Sequence, residues 1–523
     1  MEKIRFREAD RQQMQAFGID EAQVRAQLEL FRQNASLVEL CRPCTLGDGI
    51  HRLDAATIEA FHQEHQEAAG KGRFVKFVPA SGAATRMFQS LLQIYHLPHY
   101  LDPYELCRKA KYGVAVTCDF LRFLDGLERF AFRDDLEGVL AEDGLALSKL
   151  VSDREYRTIL EYLLTDRGLN YGNLPKGLLK FHRNRDGCCT AFEEHLEEAV
   201  QYVADRNGTC RLHFTVSPDH EAQFRALLAQ VRSSHEARHG VRYEVRFSHQ
   251  RSATHTVAVD MRNRLFRDRF GRLVFRPGGH GALLHNLQGL DGDLVYIKNV
   301  DNVVQDRFRD VLGSWKRILG GFLVALEKAV HERVRALRAG IAAESVAGAE
   351  AFARDQLLVQ FPQGYAQWPL SDRHGFVVSR LDRPLRVCGV VQNVGEPGGA
   401  PFWVKDATGE CSIQIVEKAQ VDASSPEQLA IWNSSTHFNP VDLVCSVRNH
   451  EGNPFDLKDY VDPHAVFISK KSVEGRSLKA LELPGLWNGA MASWLSVIVE
   501  VPRITFNPVK TVFDLLKPEH QPE

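Results

Sequence analysis

The sequence predicts an α/β fold built on a largely parallel sheet, and three observations carry that expectation. Between residues 174 and 302, short β-branched or aromatic runs alternate with stretches of helical periodicity, which is how strand–helix–strand crossovers read in sequence. The run FVKFVPASGAATRMFQ, Phe74–Gln89, passes from an apolar strand through a small-residue loop into a helix. Several strand-like runs end on polar residues, Gln250 and Asp301-Asn302 among them, and in parallel sheets ligands sit beyond the carboxyl ends of the strands.

Composition narrows the class. The chain has 523 residues, 44% hydrophobic and 25% charged, which describes a globular protein with room for more than one lobe. A formal charge of -2 gives no global attraction for nucleic acid or an anionic membrane. The opening MEKIRFREADRQQM has no apolar core, so no signal peptide is expected. The most apolar helical stretch, Ile318–Val330, is broken by Glu327 and Lys328, so no membrane insertion is expected. Ten scattered cysteines suit a reducing cytoplasm. Cys41-x-x-Cys44 has no second pair and Cys188-Cys189 are adjacent, so free thiols are expected before a zinc site.

Residues 1–70 carry apolar positions at helical spacing (Val24, Leu28, Leu30, Phe31, then Ile58 and Phe61), with Asp20 and Asp54 as N-caps. They read as an N-terminal helical extension. The strand from Phe74 stops at Pro79, and the loop Ala80-Ser81-Gly82-Ala83-Ala84 leads into a helix starting at Thr85-Arg86. Small side chains let backbone N–H groups approach a ligand, the helix N-terminus adds positive potential, and Arg86 adds a forked donor. The natural guest is a polyphosphate. An ordinary strand-to-helix turn packed with alanines fits the same residues. Residues 90–170, with Phe120–Phe130 and Tyr156–Leu164, read as a helical insertion, either capping a cleft or purely structural.

From Leu174 the pattern alternates. Lys176 follows Pro175; a helix spans Thr190 to Val203; Cys210–Ser217 is a strand; a helix opens after Pro218-Asp219. Tyr243–Ser248 is a strand leading to Gln250. The segment Arg272–Phe275 and the loop Pro277-Gly278-Gly279-His280-Gly281 precede a helix, and Asp293–Val300 is a strand ending on Asp301. Residues 310–357 are helical. After Pro384 come the strands RVCGVVQNV, PFWVKD, CSIQIVEKA and VDLVCSVRN, the first two separated by the turn Gly395–Gly399.

The ordered set VPASGAATRM (78–87), LPKGLL (174–179), FSHQ (247–250), PGGHG (277–281), YIKNVDN (296–302), QIVEKAQVD (414–422) and FNPVKTVFDLL (506–516) resembles the UTP:sugar-1-phosphate uridylyltransferases. These are the UDP-glucose and UDP-N-acetylglucosamine pyrophosphorylases. The resemblance is remote and fits a branch with no assigned activity. It implies a GT-A-like, Rossmann-like nucleotidyltransferase domain over 71–517, with 384–517 as a sugar-binding half. The implied partners are a nucleoside triphosphate and a sugar-1-phosphate, with Mg²⁺ as cofactor.

It also implies roles. Arg86 and Lys176 would grip the triphosphate, Lys510 the sugar phosphate or α-phosphate, and Asp301 would be the metal ligand. Ala80, Ser81, Gly82, Ala83 and Thr85 would line the phosphates. Gln250, Gly279, His280 and Gly281 would meet the base and ribose, and Glu417 and Asn439 the sugar. Each has a plainer alternative. Asp301 could cap a turn with Asn302, and Lys510 could be solvated. Gln250 could be a strand-end amide, Gly-Gly-His a turn without ligand, and Glu417 and Asn439 exposed strand polars. Trp487-Asn488-Gly489 reads as core packing before sugar stacking. Ser81 and Ala84 stand where relatives carry glycine, and each Cβ narrows the approach to phosphate. Because the sequence ends soon after Lys510, the C-terminal domain that many relatives use to oligomerise is not expected, and oligomeric state stays open. Two other readings remain: a nucleotide-sugar-binding protein without turnover, and a glycosyltransferase using Asp291-Gly292-Asp293 as its metal motif.

Overall fold

The computed structural model describes residues 5–33, 37–185, 187–395, 398–406, 409–473 and 475–522. The chain divides into two units. The first comprises Met1–Phe77, Ser248–Ile297 and Arg317–Arg503, the second Val78–Phe247, Lys298–Lys316 and Ile504–Glu523.

In the first unit a sheet runs in the order Thr45–Leu46, Gly49–His51, Leu495–Glu500, Leu385–Gln392, His437–Ser446, Leu294–Lys298, Phe74–Pro79. Phe74–Phe77 pairs in parallel with Leu294–Ile297. Leu385–Val390 pairs in parallel with Leu495–Glu500, whose other neighbour, Gly49–His51, is also parallel. Leu385–Gln392 and His437–Ser446 are antiparallel. The sheet is therefore mixed and largely parallel. Its parallel strands are buried on both faces, which is why Leu294–Lys298 is a continuous buried run and not an alternating one. Val75, Phe77, Val295, Ile297 and Ile498 share one core with Trp487 and Trp494.

The helical reading of residues 1–70 holds at Glu8–Phe17, Glu21–Arg32 and Ala55–Gly70. Asp20 and Asp54 cap their helices, accepting from Gln23 N at 2.6 Å and Thr57 N at 2.8 Å. Between those helices it is corrected: Glu39–Pro43, Thr45–Leu46 and Gly49–His51 are strands. Strands of two to five residues show no period. Glu39–Pro43 and Gly49–His51 also take ladder partners hundreds of residues along the chain, and Thr45–Leu46 pairs with Gly49–His51, so only tertiary pairing reveals them. The first two helices bury Met14, Val24, Leu28 and Phe31 against Val257, Val259 and Leu481. The sequence also leaves unread the helix Leu370–Leu381 and the hairpin Phe467–Val473/Arg476–Glu482. The expected turn Gly395–Gly399 lies partly outside the described residues.

In the second unit the stretch after Gln89 is helical, including Ala115–Asp125, Arg133–Glu142 and Tyr156–Leu164, around stacked rings of Phe123, Phe130 and Phe132. Strands Thr209–Thr215 and Arg242–Ser248 are neighbours. The helix Ala191–Tyr202 starts at Thr190 through a reciprocal box with Glu193. It buries Glu193, Glu194, Glu197 and Glu198. Four buried carboxylates need partners, and they have them. Arg309 reaches Glu194 at 3.1 Å and Glu197 at 3.2 Å, and Lys298 reaches Glu198 at 2.7 Å. His182 sits 2.9 Å from Glu194. Among the described residues, no helix is long and apolar enough to cross a membrane.

Candidate functional site

The second unit holds nine of the predicted site residues: Ala80, Ser81, Gly82, Ala83, Thr85, Arg86, Lys176, Asp301 and Lys510. The loop after Pro79 is held at both ends. Ala80 N donates to Thr215 O at 2.8 Å and Ala84 N to Leu174 O at 2.9 Å. Lys176 N donates back to Gly82 O at 3.3 Å, so the loop and the Pro175-Lys176 turn lie side by side. Ala80 and Ala84 are buried, whereas Gly82, Ala83, Thr85 and Arg86 are exposed. The alanine-packed turn thus describes the ends of the loop and not its middle. The methyl of Ala84, one of the two departures from glycine, is turned into the protein and leaves the exposed face of the loop clear. A Cβ on Gly82 would meet nothing within 4 Å.

One expectation about the loop is corrected. Residues Ala84–Arg86 form a 3₁₀ turn, and the α-helix begins only at Gln89 and lasts seven residues. Phe88 at its N-cap offers no side-chain acceptor. A short, uncapped helix set back from the loop adds little dipole potential there, so the positive charge comes from side chains.

Those charges converge on Asp301. Lys176 Nζ donates to Asp301 Oδ2 at 2.7 Å and to Val509 O at 2.6 Å. Lys510 Nζ lies 3.1 Å from the same oxygen and 3.4 Å from Oδ1. Three segments, at 176, 301 and 510, meet at one carboxylate. Burial alone would raise the Asp301 carboxyl, but the two lysines outweigh it and hold it below the ordinary value. Burial lowers the Lys176 amine, and Lys510 and Arg86 push the same way, against the pull of Asp301. Lys176 is nearly enclosed, at 13% side-chain exposure, and Lys510 is open, at 59%. Lys176 therefore braces the turn, while Lys510 is the cation with freedom to move.

The surrounding chain explains the placement. Val509 N donates to Asp301 O at 2.9 Å, and Asn302 Oδ1 accepts from Asn507 N at 2.9 Å. Asp514 Oδ2 accepts from Lys510 N at 2.9 Å and Thr511 N at 2.7 Å. Asn302 and Asp514 thus fold the FNPVK segment against the Asp301 turn. Behind it His195 Nε2 lies 3.2 Å from Val300 O. Asn302, Asp514 and His195 went unassigned from sequence; the buried-acid run EEHLEE was the available signal for His195.

The first unit holds Gln250, Gly279, His280, Gly281, Glu417 and Asn439. Gln250 is half-buried just after Arg242–Ser248. The glycines of PGGHG are needed by the protein itself. A Cβ on Gly281 would lie 2.3 Å from Pro484 O, and Gly279, at φ +71°, would press on Glu482. The ring of His280 lies 4.4 Å from that of Trp487. Glu417 accepts from Asn488 Nδ2 at 3.2 Å, and burial raises its carboxyl, aided by Glu482. For Asn439 the exposed-polar alternative is corrected. The residue is 2% exposed, with Nδ2 on Gly389 O and Oδ1 accepting from Val441 N. It repairs the register shift between Gly389 and Val391. Trp487 belongs to the core, as expected. Asp293, of the Asp291-Gly292-Asp293 motif, is paired with Arg73 at 2.7 Å.

One further group could hold a cation. Glu197, His235 and His239 bring their ligand atoms within 4.8 Å of one another. Arg238 and Arg309 also reach Glu197, each at 3.2 Å, so its charge is already met.

These features define a mixed α/β protein with a lysine–aspartate–lysine cluster beside an exposed small-residue loop. The chain belongs to the DUF4301 family, a domain of unknown function, whose model matches residues 7–521. No curated protein matches it in sequence. Among solved structures it is similar to a UDP-N-acetylglucosamine pyrophosphorylase of Trypanosoma brucei, with 14% identity, 97% of this chain, 82% of the other and a TM-score of 0.45. A UDP-glucose pyrophosphorylase mutant of Leishmania major bound to UDP-glucose gives 14%, 97%, 77% and 0.41. A UDP-glucose phosphorylase of Trypanosoma brucei gives 14%, 98%, 80% and 0.42.

Proposed function

We propose that this chain is a nucleotidylyltransferase of GT-A-like fold that joins a nucleoside triphosphate, UTP first, to a sugar-1-phosphate and releases pyrophosphate. The observation that supports this best is the meeting of Lys176 and Lys510 at Asp301, with Arg86 close enough to depress the Lys176 amine. Four charged groups drawn from four segments suit a reaction whose demands are positioning and charge neutralisation. The choice of UTP rests on the motif resemblance.

In this reading the exposed middle of the loop, Gly82 to Arg86, receives the β- and γ-phosphates. Lys176 stays fixed on Asp301 and Val509 and supplies a constant positive charge. Lys510 turns from Asp301 to the α-phosphate or the sugar phosphate as negative charge develops. A sugar-phosphate oxygen attacks the α-phosphorus in line, that bond forms as the bond to pyrophosphate breaks, and no covalent enzyme intermediate is needed. Mg²⁺ favours few protein ligands and hard oxygens; with Lys176 on Oδ2 and Lys510 turned away, Asp301 would offer Oδ1 to the ion, which would add Lewis-acid neutralisation. Gln250, His280 and the PGGHG backbone are assigned to the base and ribose, and Glu417 to a sugar hydroxyl.

The glycosyltransferase reading is weakened because Asp293 is committed to Arg73. A binding protein without turnover is separated by experiment. Pyrophosphate release is measured with each triphosphate against a panel of sugar-1-phosphates. Release with one pair supports the reading; triphosphate binding without release across the panel replaces it with the binding protein.

A further inference from the structure

We propose that Cys41 and Cys411 form a reversible disulfide that clips together the two outer strands of a small sheet in the first unit. That sheet runs in the order Glu39–Pro43, Gly399–Lys405, Cys411–Glu417, antiparallel throughout. Lys405, at the end of the middle strand, faces Glu39 on one side and Cys411 on the other. The first strand loses register between Leu40 and Arg42, and Cys41 is the residue at the break. A residue released from the ladder in this way is re-aimed. Here its Sγ reaches to 2.6 Å from Sγ of Cys411, against ~2.05 Å in a formed bond.

The Cys41-x-x-Cys44 spacing suggests a different pair, which the structure separates. Cys44 is fully buried, and its Sγ packs where a Cβ on Gly49 would meet it at 2.7 Å. Cys41 turns instead to a partner 370 residues away. Cys41 and Cys411 are both half-buried, and Cys411 also lines a cavity of about 730 Å³. A small reagent thus has a route to one sulfur of the pair.

The oxidant class is a low-molecular-weight disulfide, R–S–S–R. Burial and the neighbouring Cys411 push the Cys41 thiol up to about 12. Cys411 lines the cavity and Cys41 does not, so the first attack falls to Cys411. Its thiolate forms a mixed disulfide and expels one RS⁻. Cys41 then gives its proton to solvent, and its sulfur displaces the second RS⁻ from Cys411. Two protein thiols are oxidised, one R–S–S–R is reduced to two R–SH, and a dithiol reverses the sequence. The bond closes a long loop, which restricts the unfolded chain, and it anchors the strand that ends at Glu417. It stands independently of the catalytic proposal.

The full chain is incubated with oxidised glutathione and mapped by mass spectrometry after digestion without reduction. The expected result is a linked Cys41–Cys411 peptide, an intact mass lower by about 2 Da, and a higher melting temperature that reverts with dithiothreitol. Cys41→Ser should leave a stable glutathione adduct on Cys411, and Cys411→Ser should abolish both link and thermal shift. Adducts on the wild-type cysteines with no linked peptide, or a Cys41–Cys44 link, would overturn the proposal. The wild-type map decides this whether or not either variant folds.

Discussion

Asp301→Asn tests the cluster most directly, because one substitution removes the charge on which two lysines depend. Asp301 and Lys176 are nearly enclosed, at 10% and 13% side-chain exposure, and 2.7 Å apart. Breaking a buried ion pair by deleting one partner costs ~3–5 kcal/mol. Lys176 keeps Val509 O at 2.6 Å, and the asparagine amide oxygen can still accept. About half of that penalty is therefore expected, ~2 kcal/mol. Lys510 is too exposed to add to it. The assay is urea denaturation read by the midpoint at constant slope, with pyrophosphate release measured in parallel. The pH dependence has a definite sign. The folded carboxyl lies below its unfolded value of about 3.9, so its contribution is complete above that pH and lost as the pH falls through the folded value. The stability gap between wild type and variant should be constant near neutrality and shrink below about pH 4. Turnover should drop on the order of a hundredfold. A variant as stable as wild type at pH 7, with near-native release, would refute the reasoning.

Lys510→Ala should cut turnover on the order of a hundredfold while leaving the denaturation midpoint in place, because the side chain is open to solvent; a matching loss of stability would recast Lys510 as structural. Gly82→Ala should fold normally, since the added methyl meets no protein atom, and should weaken triphosphate binding, as should Arg86→Ala; unchanged affinity by calorimetry in both would remove the loop from the site. Burial works against a charged His235, but Glu193 and Glu197 override it and raise the ring to about 9. That stabilisation is full below about pH 6.5 and is lost as the pH rises through about 9. His235→Asn should flatten the fall in stability over that interval, measured by denaturation at a series of pH values; parallel curves would place the effect elsewhere.

Much of the fold was legible along the chain. The helix Tyr156–Leu164 matches the predicted bounds, and Asp20 and Asp54 cap where local chemistry puts them. Strands near 210, 243 and 294 fall within two residues of their expected starts. These succeed because capping and periodicity act over a few residues. The strands between Glu39 and His51 failed because they are too short to show a period and the pairings that anchor Glu39–Pro43 and Gly49–His51 are remote. The candidate site divides in the same way. Asp301, Lys176 and Lys510 were named from motifs, yet nothing in the residues themselves says that both lysines bind one carboxylate. Asn439 read as a sugar contact or an exposed strand polar, and its burial beside the register shift of its partner strand is something no local pattern encodes.

Taken alone, the amino-acid order determined the layered α/β class, the stops and starts of most helices, and the list of side chains able to handle phosphate. It could do so because those properties depend on neighbours a few bonds away. Three outcomes belonged to the folded chain: which acid neutralises Lys176 and Lys510, whether Gly82 faces open space, and which sulfur meets Cys41. Each depends on distance and exclusion of water between segments far apart in sequence, and those quantities come into being only when the chain closes on itself.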